Sequence, residues 1–393
     1  MKDKITKILF NPFDVIIAEF VLVILLYLLR LSALYHPAIV YTIYLGSTVM
    51  LLIIIKIALT TQLDVLRKVK CLSNNLDVSK KFAVILIFFF VSGSVANIYE
   101  FTTVGWPIFL QNKVTRGDTL HYIHYITNFL MYSLVMSYFA IRMTDGVKKS
   151  ICFFVFLLSF IQMLVWLNRG FITLLLVFIV YYEFLRALSN NSFKKYTIKL
   201  ISLVTMFTMF FGYIGDTRVA YVMENVYGHT INYHYRMSES LPSSFVWVYI
   251  YITSPLENFR HMVMEQDVHS YKLGTLLFYP FVAPIFKSFF AKKVETYPYL
   301  DSIAGLNVSS YLESAYNDFW FIGAYIYIIF MSLMFYLAIY FLPRGIFGLL
   351  VFVSILNMGL WMIFVNGFAV GPFMIGTLLF MAASLFFDKP RIV

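Results

Sequence analysis

Two arginines lie where long apolar stretches of the sequence end, and an arginine at such a boundary can bind a phosphate group. Arg169 and Gly170 stand between two apolar stretches with almost no loop, and Arg218 follows Asp216 at the end of a later one. Because a guanidinium is always charged and matches the geometry of phosphate oxygens, both arginines are candidates for an anion site. The alternatives are that Arg169 extends to lipid headgroups and that Arg218 pairs with Asp216 at a helix end.

A third arginine, Arg260, lies in a segment with the pattern of a helix start. Ser254 fits the N-cap, Pro255 the first helical position and Glu257 the third. Arg260 then lies one turn after Glu257, so it either binds a ligand or forms an ion pair with this glutamate.

The candidate acids and bases are His229, His234, Glu313 and Asp318. A histidine or a carboxylate can take a proton from an attacking hydroxyl group near neutral pH. Asp318 stands before an apolar stretch, so it either orients a hydroxyl group or stabilises a helix N-terminus. Tyr316, between Glu313 and Asp318, is a candidate for substrate binding.

Two further histidines, His121 and His124, share a helical face at the outer end of another apolar stretch. No pair of histidines has the spacing and the nearby acid that make a metal site convincing, and the sequence has neither a P-loop nor a GxGxxG unit. We therefore expect no metal and no nucleotide cofactor.

Composition decides the class of protein. The chain is 61% hydrophobic and 13% charged, which leaves too little polar surface for a soluble domain. We expect an all-α polytopic membrane protein. The net charge of +10 is distributed over the loops between spans and does not cluster on one face, so it does not indicate a nucleic-acid partner.

About ten apolar stretches approach the ~20 residues that a spanning helix needs. They cover residues 13–30, 38–59, 82–101, 122–141, 151–168, 171–187, 198–215, 319–342, 346–365 and 368–387. The chain then divides into a membrane region with about seven spans (1–215), a large loop (216–318) and a membrane region with about three spans (319–393). The lysines and arginines concentrate on one side, which predicts that both termini are cytoplasmic and that the loop faces outward.

Two segments of the loop, Phe245–Ile252 and Leu273–Phe290, are apolar. The first is short and the second is interrupted by Pro280 and Pro284, so we expect interfacial or re-entrant helices. The alternative, that one of them crosses the membrane, would place Arg344 outside, against the charge rule.

Several short motifs occur in the order found in one family of membrane enzymes. They are Val104–Phe109, Arg169–Gly170, Gly212–Arg218, Tyr251–Phe259 and Tyr316–Gly323. In these motifs the chain resembles the Wzy-type O-antigen polymerases, which join lipid-linked oligosaccharide repeat units. It departs from the family pattern at Trp320, where a glycine is usual.

The resemblance implies a GT-C-like helical fold in the cell inner membrane, with its active face toward the periplasm. It also implies a metal-independent glycosyltransferase that moves the growing glycan from undecaprenyl pyrophosphate to the next lipid-linked repeat unit. The lipid-linked oligosaccharide would be its substrate, and a chain-length regulator and a flippase its pathway partners. The expected catalytic residues are Arg169, Arg218, Glu313 and Asp318, and the expected substrate-binding residues are His229, His234, Arg260 and Tyr316.

Two other functions fit the same architecture. An O-antigen ligase shares the many spans, the large outer loop and the arginine chemistry, and differs in its acceptor. A flippase or exporter of lipid-linked oligosaccharide would place polar residues along the middle of its spans. The charges that do occur within spans, on Asp14, Glu19 and Lys56, are expected near the inner ends, which favours the polymerase.

Overall fold

The computed structural model describes residues 11–31, 38–60, 80–105, 121–165, 169–189, 193–214, 243–265, 273–274, 276–277, 310–342, 345–364 and 371–387. These residues are almost entirely helical, and no strand occurs among them. The predicted all-α class is therefore confirmed for the part of the chain that the structure describes.

The described residues form thirteen α-helices. They are α1 (Pro12–Leu28), α2 (Ile39–Thr60), α3 (Lys80–Val104), α4 (His121–Thr127), α5 (Phe129–Met143), α6 (Gly146–Val165), α7 (Arg169–Ser189), α8 (Phe193–Ile214), α9 (Ser243–Glu265), α10 (Tyr311–Phe319), α11 (Gly323–Tyr340), α12 (Gly345–Trp361) and α13 (Gly371–Phe387). A 3₁₀ turn, Trp320–Ile322, connects α10 to α11.

Four helical stretches in the described part of the chain are long and apolar enough to cross a membrane. They are Ile39–Leu59, Lys80–Thr103, Gly146–Val165 and Tyr311–Tyr340. Other apolar helical stretches are shorter, among them Leu175–Phe184, Tyr196–Met206 and Ile346–Trp361. The chain is thus a helical membrane protein by the length and composition of its helices.

The outward faces of the long helices are apolar. Ile43 and Ile54 of α2, and Val84 and Val95 of α3, each expose about 60% of their surface. Lipid hydrocarbon suits such faces, because a helix forms its backbone hydrogen bonds internally and needs no water to satisfy them. Water would make a continuous apolar face of this kind unfavourable.

The chain divides into two compact units. Unit 1 comprises residues 1–66, 194–340 and 358–370, and unit 2 comprises residues 67–193, 341–357 and 371–393. In unit 1, α1 packs against α2 and α9, while α11 packs against α2 and α10. In unit 2, α5 packs against α3, α6 and α7, and α3 also contacts α4. Ten of the fifteen residues of α5 are buried, and this helix packs against α3, α6 and α7, which makes it the core of unit 2.

The expectation that a helix begins at Ser254 is wrong. Helix α9 begins eleven residues earlier, at Ser243, and Pro255 lies inside it. Trp247 is buried, and the Tyr249 hydroxyl donates to the carbonyl oxygen of Leu26 in α1 at 3.2 Å. The burial of Trp247 and the hydrogen bond from Tyr249 to α1 favour the helical conformation ahead of the proline, and such contacts override local start signals.

The turn between α10 and α11 is tightly packed. A Cβ atom at Gly323 would lie 1.8 Å from the carbonyl oxygen of Ala315, so only glycine fits at the start of α11. Trp320, in the same turn, has φ 60° and ψ −149°, a backbone conformation that only glycine adopts without strain. Tryptophan, the largest side chain, therefore stands at a position whose backbone conformation favours glycine.

Candidate functional site

Polar and aromatic side chains of unit 1 gather at one end of helices α1 and α2. Tyr27 lies in the last turn of α1 and Tyr41 in the first turn of α2. The Asp14–Lys56 ion pair joins the same two helices, roughly 20 Å away along α1 at 1.5 Å per residue. The Tyr27 end, where α9 from the large loop joins the helices, is the candidate site.

Glu257 is the central residue of this site and has no exposed surface. Its Oε1 accepts hydrogen bonds from Nε and Nη2 of Arg260, at 2.9 and 2.7 Å, and its Oε2 accepts from the Tyr27 hydroxyl. Nε2 of His261 lies 3.7 Å from Oε1. A buried carboxylate requires such partners, since its desolvation is otherwise very costly.

These contacts support the interpretation of Arg260 as the ion-pair partner of Glu257. The predicted ion pair with Glu257 is present, and the Arg260 side chain is only 12% exposed. The guanidinium therefore neutralises a buried acid of its own helix. Arg260 supports the shape of the site, because Glu257 in turn binds Tyr27 of α1.

Asp318 is also buried, and its carboxylate accepts hydrogen bonds from three donors. The backbone N–H groups of Leu276 and Leu277 donate to Oδ1 and Oδ2 at 3.0 and 2.8 Å, and the Tyr327 hydroxyl donates to Oδ2 at 2.7 Å. Asp318 lies in the last turn of α10, so the expectation that it precedes the N-terminus of a span is wrong. The negative charge instead binds the N–H groups of the Leu276 segment, which holds that segment to α10 and α11.

Tyr316 and Glu313 have local partners within α10 and its turn. Tyr316 is 5% exposed, and its hydroxyl accepts a hydrogen bond from Nε1 of Trp320 at 3.0 Å. Glu313 lies three residues after Ser310, whose Oγ accepts from the N–H of Leu312 at 3.2 Å. A serine N-cap followed by a glutamate at the third position is the sequence of a capping box, which stabilises the start of a helix.

Aromatic rings connect α2, α9 and α10 at this end of unit 1. The ring of Phe259 lies 5.6 Å from that of Tyr41, 6.3 Å from that of Tyr44 and 5.9 Å from that of Tyr316. Phe321 extends the group, because its ring contacts Tyr44 and its carbonyl oxygen accepts from the Tyr44 hydroxyl at 2.8 Å. These five residues form an aromatic cluster whose tilted and edge-to-face pairs are the favourable arrangements.

The structure describes no side chain for four of the predicted site residues. Arg218, His229 and His234 lie outside the described residues. Arg169 is the first residue of α7, and the structure describes its backbone only.

A second polar cluster, in unit 2, was missed by the sequence interpretation. Glu100 near the end of α3 has no exposed surface. Its Oε1 lies 3.2 Å from Nδ1 of His124, and its Oε2 accepts from the Thr127 hydroxyl at 2.7 Å. One turn earlier on α3, Asn97 donates to Gln162 of α6 at 3.1 Å. The available signal was an acid within the apolar stretch 82–101, since an ionisable residue in a spanning helix suggests function.

The opposite end of unit 2 holds a different ion pair. Nη2 of Arg142, in the last turn of α5, lies 2.8 Å from Oε1 of Glu183 in α7, which also accepts from the Tyr138 hydroxyl. Arg142 is about a third exposed, as expected of a side chain at a membrane boundary. Unit 2 therefore has titratable side chains toward both ends of its helices.

No protein-family model matches the chain, and neither a curated protein nor a solved structure matches it significantly. The function is therefore argued from the residues and their geometry.

Proposed function

We propose that this protein is a polymerase of lipid-linked oligosaccharide repeat units. It transfers the growing glycan from undecaprenyl pyrophosphate to the next lipid-linked unit at the periplasmic face of the inner membrane. The proposal includes about ten spans, a GT-C-like fold and cytoplasmic termini. It also includes the partners of such an enzyme, a flippase that supplies the units and a chain-length regulator.

One observation carries this proposal. Helix α9 belongs to the predicted outer loop and packs against α1 in unit 1, where Glu257 accepts a hydrogen bond from the Tyr27 hydroxyl. The Tyr41 hydroxyl in the first turn of α2 donates to the carbonyl oxygen of Leu256 in the same helix α9. A loop that folds into the ends of the spans can form a polar site at the membrane face. That is where a substrate with a lipid tail and a sugar head presents its reacting bond.

The distribution of charge in α2 supports a face-acting enzyme over a flippase. Lys56 is the one charged residue of this spanning helix and pairs with Asp14 at the end away from the aromatic cluster. A transport path through the membrane requires polar groups along the middle of the spans. The middle of α2 instead exposes Met50 and Ile54, which suit contact with lipid.

The proposed reaction assigns roles to the predicted residues. Arg169 and Arg218 stabilise the negative charge of the departing pyrophosphate, since charge-assisted hydrogen bonds to phosphate are strong. His229 and His234 contact the sugars. Asp318, Glu313, Arg260 and Tyr316 hold the walls of the site, a role that fits their intramolecular partners.

Surface lipopolysaccharide from a strain that lacks the gene tests the proposal. We expect lipid A–core bearing a single repeat unit, with the ladder of longer chains absent and restored by the intact gene. Bare core would contradict the proposal. Polymer accumulating on the carrier lipid would then indicate a ligase, and single units on the inner leaflet would indicate a flippase.

Complementation with arginine variants of α7 makes this test specific. Arg169→Ala should abolish the ladder at a normal protein level, because the first residue of α7 stands at the predicted outer end. Arg186→Ala is the matched control, since it removes an exposed arginine from the last turn of the same helix. A full ladder from Arg169→Ala at matched expression would remove this residue from the site.

A further inference from the structure

An aromatic surface lies beside the turn between α10 and α11, entirely within unit 1. It consists of Trp320 and Phe321 of the turn, Tyr44 of α2 and Tyr325 of α11. Trp320 and Phe321 are 51% and 37% exposed, and the two tyrosines are half-buried. The ring of Phe321 lies 5.3 Å from that of Trp320 and 5.5 Å from that of Tyr44. The ring of Tyr44 lies 5.8 Å from that of Tyr325, so the four rings are continuous.

The predicted topology places this surface at the outer membrane boundary. The turn Trp320–Ile322 comes directly before α11, and the predicted span there covers residues 319–342. Tyr44 lies in the second turn of α2, whose first residues follow a predicted outer loop. A lipid-linked glycan carries its sugars at this level, just beyond its lipid tail.

Hydrogen bonds within the protein use the hydroxyl protons of both tyrosines. The Tyr44 hydroxyl donates to the carbonyl oxygen of Phe321 at 2.8 Å, and its oxygen lies near the backbone N–H of Ala324. The Ser47 hydroxyl donates its one proton to the carbonyl oxygen of Tyr44 at 2.7 Å. The Tyr325 hydroxyl, 2.6 Å from Oγ of Ser47, is therefore the donor of that pair. No donor reaches the Tyr325 oxygen from the described part of the chain, so this oxygen can accept a hydrogen bond from a ligand.

Trp320 is held in a way that suits ligand binding better than membrane anchoring. Its Nε1 donates to the Tyr316 hydroxyl at 3.0 Å, so the polar edge of the indole is directed to a buried residue of unit 1. A tryptophan that anchors a protein in the interface keeps its polar edge in the wet headgroup region. Trp320 also has φ 60° and ψ −149°, and strained backbone conformations of this kind cluster at ligand sites.

The chemistry of the surface selects a neutral sugar. A sugar ring has C–H groups that pack on an aromatic face and hydroxyl groups that donate to an acceptor such as the Tyr325 oxygen. A phosphate group requires donors or cations, whereas the contacts of Tyr44, Phe321 and Tyr325 are with rings, hydroxyl groups and the backbone. A lipid tail would cover the Tyr325 oxygen without bonding to it, which is unfavourable.

We propose that the aromatic surface binds a neutral sugar ring of the lipid-linked repeat unit. This inference rests on the proposed function and assigns one binding subsite to it. The sugar stacks on Phe321 and Trp320, and one of its hydroxyl groups donates to the Tyr325 oxygen. The surface forms no covalent bond and holds the glycan at the membrane boundary.

Tyr325→Phe tests the polar contact, because it keeps the ring and removes the oxygen. The purified full chain, in phosphatidylglycerol vesicles, extends repeat units on undecaprenyl pyrophosphate. This lipid has no ammonium group that could bind to the aromatic faces. The KM for the repeat unit should rise about 2- to 10-fold, the range for one neutral hydrogen bond. An unchanged kcat would identify a contact made equally in the ground state and the transition state.

Ser47→Ala is the matched control for this variant. It removes the same internal hydrogen bond as Tyr325→Phe but keeps the Tyr325 oxygen. Its KM should stay near that of the intact protein. An equal rise in the two variants would mean that the internal hydrogen bond alone matters, and it would overturn the sugar contact.

Phe321→Leu tests the stacking contact. Leucine keeps an apolar side chain for lipid but has no flat face for a sugar, so the KM should rise with little change in kcat. Ile322→Ala is the control, since Ile322 is 62% exposed in the same turn and has more surface to lose to lipid. An equal rise in KM for both variants would show that the turn contacts lipid, which contradicts the proposal.

Binding of free oligosaccharide separates this inference from the proposed function. The probe is the repeat-unit oligosaccharide released from its carrier by mild acid, and calorimetry follows its binding to the protein in detergent. We expect binding that Tyr325→Phe weakens, that Ser47→Ala leaves intact and that inorganic phosphate does not displace. No binding, equal affinity in Tyr325→Phe or displacement by phosphate overturns the inference, even if the protein extends chains. Binding that Tyr325→Phe weakens, without any chain extension by the intact protein, supports the sugar site and rejects the polymerase.

Discussion

Glu257 illustrates how a buried acid at a membrane boundary is stabilised by residues from two helices. Arg260 is on its own helix, one turn away, while Tyr27 belongs to α1 and is also completely buried. Removing one member of a buried ion pair leaves an uncompensated charge, which is more costly than removing both. The same ion pair in an exposed position would contribute little to the free energy of unfolding.

Variants of this pair should show strong coupling. Glu257→Gln should lower the free energy of unfolding by about 3 kcal/mol or more, because Arg260 stays charged and buried. The double variant Glu257→Gln/Arg260→Gln should be less destabilised than the sum of the two single variants. Thermal unfolding of the purified variants in one detergent measures this.

Asp14→Asn provides the control for that cycle. Asp14 and Lys56 form a more exposed pair in the same unit, with 18% and 31% of their side chains exposed. Its loss should cost about 1 kcal/mol or less. Additive effects at Glu257 and Arg260 would show that the two side chains are not energetically coupled.

The sequence predicts part of the candidate site. The spacing of Glu257 and Arg260 predicts their pairing, since residues three apart on a helix are neighbours. The contact of Glu257 with Tyr27, 230 positions earlier, depends on how α9 packs and has no local signal. The same holds for Asp318, whose partners Leu276 and Leu277 are far from it in sequence.

At the scale of elements, the turn between α10 and α11 combines strain with close packing. Trp320 keeps a glycine-like backbone conformation while Nε1 donates to Tyr316 and the ring contacts Phe321. Such strain costs about 1–3 kcal/mol and persists only where surrounding contacts determine it. This explains how a tryptophan occupies a position at which the motif of the proposed family usually has glycine.

Comparing two small substitutions isolates the strain. Trp320→Gly and Trp320→Ala both remove the ring and its hydrogen bond, but only alanine keeps a Cβ at φ 60°. We expect the glycine variant to be more stable than the alanine variant by about 1 kcal/mol, despite the usual entropic cost of glycine. Equal melting temperatures, or a more stable alanine variant, would contradict the strained turn.

Gly323 tests the packing of α10 on α11. Gly323→Ala would place a Cβ 1.8 Å from the Ala315 carbonyl oxygen, so the two helices must separate and stability should fall by about 2 kcal/mol or more. Gly46→Ala in α2 is the control, because no heavy atom lies within 4 Å of its added Cβ. Alanine there should be neutral or stabilising by up to about 1 kcal/mol. Similar melting temperatures for the two variants would refute the close contact.

Helix positions were predictable where long apolar stretches dominate, and less so in the loop. Each of the ten predicted spans overlaps at least one described helix, because apolar runs of about 20 residues leave few other structures. Helix α9 was predicted to begin too late, since Ser254 and Pro255 give a strong local start signal. The burial of Trp247 and the hydrogen bonds of Tyr249 stabilise the longer helix and outweigh this local preference. Neither can be inferred from the segment alone.

At the scale of the whole molecule, the distribution of positive charge predicts orientation. Lys80 and Lys81 begin α3, and Arg142 ends α5, at ends that the predicted topology places in the cytoplasm. The even number of predicted spans keeps both termini on one side.

Reporter fusions check this orientation. Alkaline phosphatase, which is active only outside the cytoplasm, should be active when inserted after residue 236 in the large loop and inactive after residue 388. A green fluorescent protein fused at the same two positions is the matched control and should give the reverse pattern. Phosphatase activity at residue 388 would mean that the number of spans is odd.

The most direct test of the central claim is chain extension by the purified protein. The protein in lipid vesicles receives a single repeat unit on undecaprenyl pyrophosphate, with no nucleotide sugar, no ATP and no lipid A–core. We predict chains of two or more units on the carrier, together with released undecaprenyl pyrophosphate. If the carrier-linked unit stays single, and is transferred only when lipid A–core is added, the protein is a ligase and the polymerase account is wrong.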